Sequence, residues 1–109
     1  SGSPRREFVH ADDIADACIH LLQEDVSALE LPLNIGVGSD ISIKELAEMI
    51  ASVVGYTGRL EWDLTKPDGA PRKLLDSSRL QSLGWKPKVI FAEGLSSTYE
   101  WYLRDVQAV

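Results

Sequence analysis

Residues Ile41 to Gly55, ISIKELAEMIASVVG, carry the clearest structural signal in this 109-residue chain. Ser42 followed by Glu45 is the capping-box pattern, in which each side chain accepts a hydrogen bond from the other residue's backbone N–H. Apolar residues recur at helical spacing through the stretch, at Ile43, Leu46, Ala47, Ile50 and Val54. Gly55 stands where a helix would end. The stretch therefore predicts an amphipathic helix with one apolar face.

Upstream of this helix, Glu7–His10 is predicted to be a short extended segment, and Asp12 or Asp13 to cap a second helix. The apolar face of that helix is predicted from the i, i+3, i+4 spacing of Ile14, Ala17, Cys18, Leu21 and Leu22. Leu31–Val37, LPLNIGV, is a brief β-like run with glycines at its end.

Downstream, a strand is predicted at Arg59–Asp63, a short helix after Asp76 or Ser77, and a last helix from about Ala92 to Arg104. The sum is a single small α+β domain, residues 1–109, with about four helices and three or four short strands. Those strands are too few and too short to form a doubly wound sheet alone.

Composition and charge narrow the possible functions. The chain is 44% hydrophobic and 26% charged, which is typical of a soluble globular protein. No apolar run approaches the ~18 residues of a membrane span, and no leader is recognised. The single cysteine, Cys18, excludes an internal disulfide framework and suits a reducing cytoplasm. A net charge of −6 argues against nucleic acid or an anionic membrane as a partner.

The start of the chain, SGSPRREF, lacks an initiator Met and opens in what reads as a turn. We expect the chain to be a piece of a longer protein. A cloning scar at Ser1–Ser3 is the alternative, and the sequence does not separate the two.

Positive charge is concentrated in one region of this acidic chain. Residues 59–88 hold seven basic and four acidic residues, and the densest part is Lys66–Asp76, KPDGAPRKLLD, hereafter the basic loop. Pro67 and Pro71 restrict its backbone, and Gly69 allows a tight bend. Such a loop suits a small anionic ligand held locally.

No complete reaction site is predicted within the chain. GVGSDI, residues 36–41, resembles the start of a dinucleotide fingerprint, but Ile41 stands where the third glycine belongs, so no cofactor-binding residues are predicted. A Tyr followed four residues later by Lys is absent. His10 and His20 are predicted to be structural or surface histidines, and no metal site is predicted.

A candidate anion site combines two segments. Pro4 stiffens the approach to Arg6, and the prolines of the basic loop hold Lys73; these two cations, with Arg59 as a third, could bind a diphosphate. Asp68 cannot bind phosphate, but its carboxylate suits the hydroxyl groups of a sugar. The alternative is that all of these are solvated surface charges flanking a proline loop, and the residues alone favour neither.

The chain resembles the C-terminal part of the GDP-L-fucose synthases, which are extended short-chain dehydrogenase/reductases of the NAD-dependent epimerase family. The stretches that carry the resemblance cover nearly the whole chain in the family's order; they are PRREFVHADDIADA, LNIGVGSDISIKELAEMIASVVGYTGRLEWD, KPDGAPRKLLD, LGWKP and GLSSTYEWYL. The Arg-Glu-Phe-x-His-x-Asp-Asp run is shared with related epimerases. KPDGAPRKLLD is narrower and selects this family.

The resemblance implies an enzyme that converts GDP-4-keto-6-deoxy-D-mannose to GDP-L-fucose by epimerisation at C3 and C5 and NADPH-dependent reduction at C4. It implies an N-terminal Rossmann domain that carries the NADPH site and the catalytic residues, so that this chain alone would be an inactive GDP-sugar-binding lobe of an enzyme that dimerises. It further implies that Arg6 and Lys73 grip the phosphates, that Arg59 contacts the nucleotide, and that Asp68 lies in a substrate-facing loop. A stand-alone anion- or nucleotide-binding module, or a structural interaction module, is the alternative.

Overall fold

The computed structural model describes residues 1–27 and 32–107. Four helices are present within these ranges, α1 (Ala11–Gln23), α2 (Ile43–Val54), α3 (Ser78–Ser82) and α4 (Phe91–Trp101), and a π-helical turn, Tyr102–Val106, continues α4. Three strands of two residues each, β1 (Arg5–Arg6), β2 (Ile41–Ser42) and β3 (Arg72–Lys73), form one sheet in the order β2-β1-β3. The predicted small α+β fold is confirmed. Within the described ranges, no helix has the length and apolar character needed to cross a membrane.

Helix α2 forms as its sequence predicts. The Ser42 hydroxyl accepts from the Glu45 N–H at 3.1 Å, and the Glu45 carboxylate accepts from the Ser42 N–H at 2.7 Å. Gly55 ends the helix in the left-handed conformation. The apolar stripe is only half covered, because no residue of α2 is fully buried and Ile50 and Val54 remain exposed.

Helix α1 begins earlier than predicted, and neither aspartate caps it. The cap is His10, whose Nδ1 accepts from the Asp12 N–H at 3.1 Å. Because the helix starts at Ala11, Asp13 falls within the first turn, where its buried carboxylate accepts from the N–H groups of Lys88 and Val89 at 3.0 and 3.1 Å. A residue predicted to serve the helix itself therefore joins α1 to the segment before α4.

The core lies at the middle of α1 and is smaller than the predicted apolar face. Its buried residues are Ala17, Leu80 and Trp85, with Leu21 and Ile35 packed against them. Ile14, Cys18 and Leu22, all predicted to lie on this apolar face, are exposed, Leu22 at 86%. The chain is thin, with extents of 51 × 36 × 21 Å, so it cannot cover every apolar face that it displays.

The predicted strands are wrong in position. Arg59–Asp63 forms no strand, because no neighbouring backbone pairs with it. The described part of Leu31–Val37 is not a strand either, and Leu31 lies outside the described residues. Glu7–His10 was predicted to be extended, but the strand, β1, lies just before it at Arg5–Arg6. The third strand, β3, lies inside the basic loop.

The two C-terminal helices are close to their predicted positions. Helix α3 follows Ser77, and the Asp76 carboxylate accepts from the Ser78 N–H at 3.0 Å, while the Ser77 side chain makes no capping bond. Helix α4 and its π-helical turn together cover the predicted last helix. The rings of Tyr99 and Tyr102 stack across the junction, with their centroids 6.4 Å apart.

Candidate anion-binding site

The central strand β1 brings the N-terminal segment and the basic loop together. It pairs antiparallel with β2 and parallel with β3, so that Arg5 lies opposite Arg72 and Arg6 opposite Lys73. The Arg5 N–H donates to the Pro71 carbonyl at 2.8 Å, which fixes this register. Two cations predicted from separate segments, Arg6 and Lys73, are thus direct neighbours across the sheet.

One pair, Arg5 and Arg72, is bridged by Asp40, and a Glu45 carboxylate oxygen lies 3.7 Å from Arg5 Nη1. The Asp40 carboxylate accepts from Nε of Arg5 at 2.8 Å and also from Nε of Arg72, and its carbonyl accepts from Arg5 Nη2 at 2.9 Å. The Asp40 side chain is only 3% exposed. The guanidinium of Arg5, and then that of Arg72, holds the pKa of Asp40 below its usual value, and Asp40 in turn raises the pKa of Arg5.

The other pair, Arg6 and Lys73, has no carboxylate partner among residues 1–27 and 32–107. Side chains alternate between the two faces of a strand, so Arg6 and Lys73 point away from the face on which Arg5 and Arg72 meet Asp40. Within residues 1–27 and 32–107, neither Arg6 nor Lys73 forms an ion pair, and Lys73 is exposed. Arg6 Nη1 donates to the Arg5 carbonyl at 2.7 Å, which orients the guanidinium and leaves its other N–H groups available.

The remaining two predicted site residues lie apart from this pair. Asp68 lies in the basic loop before β3. Its carboxylate accepts hydrogen bonds from the N-terminal amino group and the hydroxyl group of Ser1. Arg59 is 83% exposed at its side chain and forms an ion pair with Glu61. The geometry therefore brings Arg6 and Lys73 together, keeps Asp68 on the same loop, and does not bring Arg59 to the sheet.

Backbone features hold the basic loop in place, as the proline and glycine pattern predicts. Gly69 has a positive φ of 75° at the bend, with open space where a side chain would begin. Beyond β3, the Leu75 N–H donates to Glu7 at 3.2 Å. The same carboxylate accepts from the N–H groups of Val37 and Gly38, both at 2.8 Å. Glu7 thus ties the end of β1 to both loops.

A cleft of about 880 Å³ adjoins β1. Lys73 lies outside its lining, whose polar residues are Arg6, His10, Asp12, Ser39, Asp40, Ser97 and Thr98. Most of the remaining lining is apolar and includes Phe8, Val37, Ile41, Val89, Phe91, Leu95 and Trp101. Trp101 is 52% exposed. The cleft has the size and character of a surface that another part of a protein covers.

The GVGSDI turn, residues 36–41, does not have the form of a dinucleotide-binding turn. In GVGSDI, the N–H groups of Val37 and Gly38, which would have to face a pyrophosphate, are already bonded to the Glu7 carboxylate. Ile41 then enters strand β2 instead of opening a helix. The two histidines have structural contacts: His10 caps α1, and His20 Nε2 lies 2.8 Å from the Leu83 carbonyl oxygen.

Sequence reasoning missed the carboxylates that organise the site, Asp40 and Glu7. Asp40 lies in the GVGSDI turn, where no local pattern marks it as a partner of arginines. Only the sheet register shows that it meets Arg5 and Arg72. Glu7 was assigned to an extended segment, where nothing local distinguishes a carboxylate that binds three backbone N–H groups.

Comparison with known proteins agrees with the fold. A model of the NAD dependent epimerase/dehydratase family matches residues 1–36. GDP-L-fucose synthase 1 of Arabidopsis thaliana is 59% identical over 97% of the chain, and GDP-L-fucose synthase of Escherichia coli (strain K12) is 47% identical over 96%. A solved structure of GDP-mannoheptose C4 reductase from Campylobacter jejuni with NADP bound is 42% identical, with a TM-score of 0.82 over 94% of this chain and 33% of that one.

The chain spans about a third of the length of the curated relatives that it matches, 32% of the Arabidopsis protein and 35% of the Escherichia coli protein. The match nevertheless runs over nearly all of the chain at an identity well above that at which fold alone is shared. The resemblance predicted from the sequence is confirmed: over nearly its whole length, this chain is similar to about one third of the length of each of these GDP-L-fucose synthases.

Proposed function

We propose that this chain is the GDP-sugar-binding lobe of an enzyme that converts GDP-4-keto-6-deoxy-D-mannose to GDP-L-fucose, by epimerisation at C3 and C5 and NADPH-dependent reduction at C4. In this proposal residues 1–109 form one domain that holds the substrate and has no catalytic activity alone. The cofactor and the reacting groups belong to another domain of the full-length protein.

The observation that carries the proposal is the division of four cations in one small sheet. Arg5 and Arg72 are taken up by Asp40, whereas Arg6 and Lys73 face the other way without a carboxylate partner among residues 1–27 and 32–107. The Arg6 guanidinium suits a bidentate contact with a phosphate, and Lys73 supplies a compact charge. If each contact contributes about 1.5–3 kcal/mol, the two hold a diphosphate weakly, and the base and sugar raise the affinity to the micromolar range.

Asp68 and Arg59 take supporting roles in the proposal. Asp68 lies four residues before Arg72 on the run that borders the N-terminal segment, and its carboxylate would accept hydrogen bonds from sugar hydroxyl groups. Arg59 is exposed and held only by an ion pair with Glu61, which solvent screens strongly. It is therefore available to contact the nucleotide at little cost.

The apolar cleft supports the presence of a second domain. The cleft has a volume of about 880 Å³ and a largely apolar lining, which supports its being covered by another protein surface in the full-length protein and not by water. We assign that surface to an N-terminal Rossmann domain of the same polypeptide, which would bind NADPH, and we expect the full-length enzyme to be a cytoplasmic homodimer. In the Campylobacter relative, NADP is bound to a protein three times as long as this chain.

The test is turnover by the full-length polypeptide. We expect it to oxidise NADPH when supplied with GDP-4-keto-6-deoxy-D-mannose and to yield a product that NMR identifies as GDP-L-fucose. Reduction without inversion at C3 and C5 would contradict the epimerase assignment. Calorimetric binding of GDP without any turnover would favour the alternative, a nucleotide-binding module without catalysis.

A further inference from the structure

We propose that Asp40 is a positioning residue of the diphosphate site, which bridges the two cations Arg5 and Arg72 on one face of the sheet and reduces their repulsion, so that Arg6 and Lys73 are held together on the other face. The inference rests on the proposed function for the identity of the ligand. Asp40 is not proposed to contact that ligand, because its side chain is 3% exposed and its two carboxylate oxygens accept from Arg5 and Arg72.

The sheet has an electrostatic problem that Asp40 solves. The register places Arg5 opposite Arg72 and Arg6 opposite Lys73, so both pairs of the β1–β3 ladder join like charges. Like charges directly opposite each other destabilise a sheet. Each strand contributes only two residues, so few backbone hydrogen bonds are available to offset the repulsion.

Asp40 is placed to remove half of this repulsion. It immediately precedes β2, the strand on the far side of β1, so its bonds span all three strands. One carboxylate oxygen accepts a hydrogen bond from Arg5 of β1, and the other accepts one from Arg72 of β3. The Asp40 carbonyl takes a second N–H of Arg5. No other carboxylate among residues 1–27 and 32–107 contacts both β1 and β3 side chains.

Glu7 performs a different task at the same place. Its carboxylate accepts from the Leu75 N–H just beyond β3, and from two amides of the loop before β2. Glu7 binds backbone N–H groups, whereas Asp40 binds the charged side chains of Arg5 and Arg72. Loss of the Asp40 charge should therefore leave the loop attached but push β3 away from β1, which would separate the Arg6 and Lys73 head groups.

This inference predicts a result opposite in sign to simple electrostatics. Removing a negative charge near an anion site should by itself strengthen the binding of a diphosphate. If Asp40 positions the cations, its replacement should weaken binding instead. In the full-length enzyme we expect Asp40→Asn to raise KM for the GDP-sugar about fivefold, the cost of one opposed like-charge pair. If the diphosphate is held equally in the ground state and the transition state, kcat should change little.

Three variants sharpen the experiment. Asp40→Glu, which keeps the charge, should restore most of the affinity. Asp16→Asn is the matched control, because Asp16 also binds two side chains, Trp85 and Lys88, but lies away from the sheet; it should leave KM unchanged. In a Lys73→Ala background the effect of Asp40→Asn should shrink, because the residue to be positioned is gone. A KM that is unchanged or lowered in Asp40→Asn would overturn the inference.

Hydrogen exchange separates this inference from the proposed function. The Arg5 N–H, which donates to the Pro71 carbonyl, should exchange faster in Asp40→Asn than in the wild type, whatever ligand the site takes. Unchanged exchange would overturn the role of Asp40 even if Lys73 proves to bind substrate. Faster exchange with no response of the enzyme to Lys73→Ala would support Asp40 as the brace of β3 and contradict the diphosphate assignment.

Discussion

Replacement of Lys73 by alanine in the full-length polypeptide tests the proposed diphosphate site at its most accessible residue. Lys73 lies opposite Arg6 in the sheet, is exposed, and forms no ion pair among residues 1–27 and 32–107. Its removal leaves no buried charge behind and relieves the like-charge repulsion with Arg6, so we expect the free energy of unfolding to stay constant or to rise by up to about 1 kcal/mol. An effect on catalysis can then be assigned to the ligand.

The size of the effect follows from the exposure of the ammonium group. A hydrogen bond between charged groups contributes about 1.5–3 kcal/mol, and water competes for an exposed lysine, so the lower end applies. That value corresponds to a rise of about tenfold in KM for the GDP-sugar. The Michaelis constant for NADPH should stay nearly constant, because the proposal assigns the cofactor to another domain of the full-length protein.

Steady-state oxidation of NADPH, followed by absorbance at several substrate concentrations, measures both constants. Lys66→Ala is the matched control, because Lys66 is an exposed lysine of the same basic loop that lies outside β3. It changes the net charge equally and should alter KM by less than about twofold, the effect of a distant screened charge. Equal effects of the two variants, or none from Lys73→Ala, would refute the assignment of Lys73 to the site.

Three further predictions concern the stability of the fold, and denaturant unfolding of the full-length protein and its variants measures each. Ser42→Ala removes the capping box of α2 and should cost about 1 kcal/mol; an unchanged midpoint would contradict it. Gly36→Ala would place a Cβ 2.7 Å from the Glu7 carboxylate and should cost roughly 1–3 kcal/mol, because the chain must shift there; full stability would show that Glu7 moves freely. The pKa values of Asp16 and Asp40 are lowered by their cationic partners, so their stabilising contribution is present above the unfolded pKa of about 3.9 and is lost as pH falls through the folded values. Replacing both by Asn should flatten the acid side of the stability profile, and an unchanged slope would contradict it.

Local sequence predicted the elements that local interactions stabilise. Helix α2 has its capping box, stripe and terminal glycine within fifteen residues, so its limits are correct. Strands of two residues leave no periodicity to detect, and the alternation at Arg59–Asp63 gave a strand where no partner exists. Whether a segment becomes a strand here depends on a neighbour that is distant in the sequence.

The candidate site shows the same division. Proline, glycine and charge predicted that Arg6 and Lys73 would converge, and the register makes them neighbours. The buried carboxylates Asp13 and Asp40 were not predicted as tertiary contacts, because each receives its hydrogen bonds from residues far along the chain. Helical spacing also overestimated burial on α1, because the covering surface is too small in a chain this thin.

The parallel pairing of β1 with β3 has a consequence for how the molecule assembles and opens. The two strands are far apart in the sequence, with α1, β2 and α2 between them, and the entropy lost in closing so long a loop grows with its length. We therefore expect the pairing of β1 with β3 to form late in folding. We also expect it to open before the rest of the fold, which would expose this part of the chain to proteases. A nucleotide at a hundred times its Kd that bound only molecules in which β1 and β3 are paired would stabilise that pairing by about 2.7 kcal/mol. The rate at which a protease cleaves residues 66–76 would then report how much nucleotide is bound.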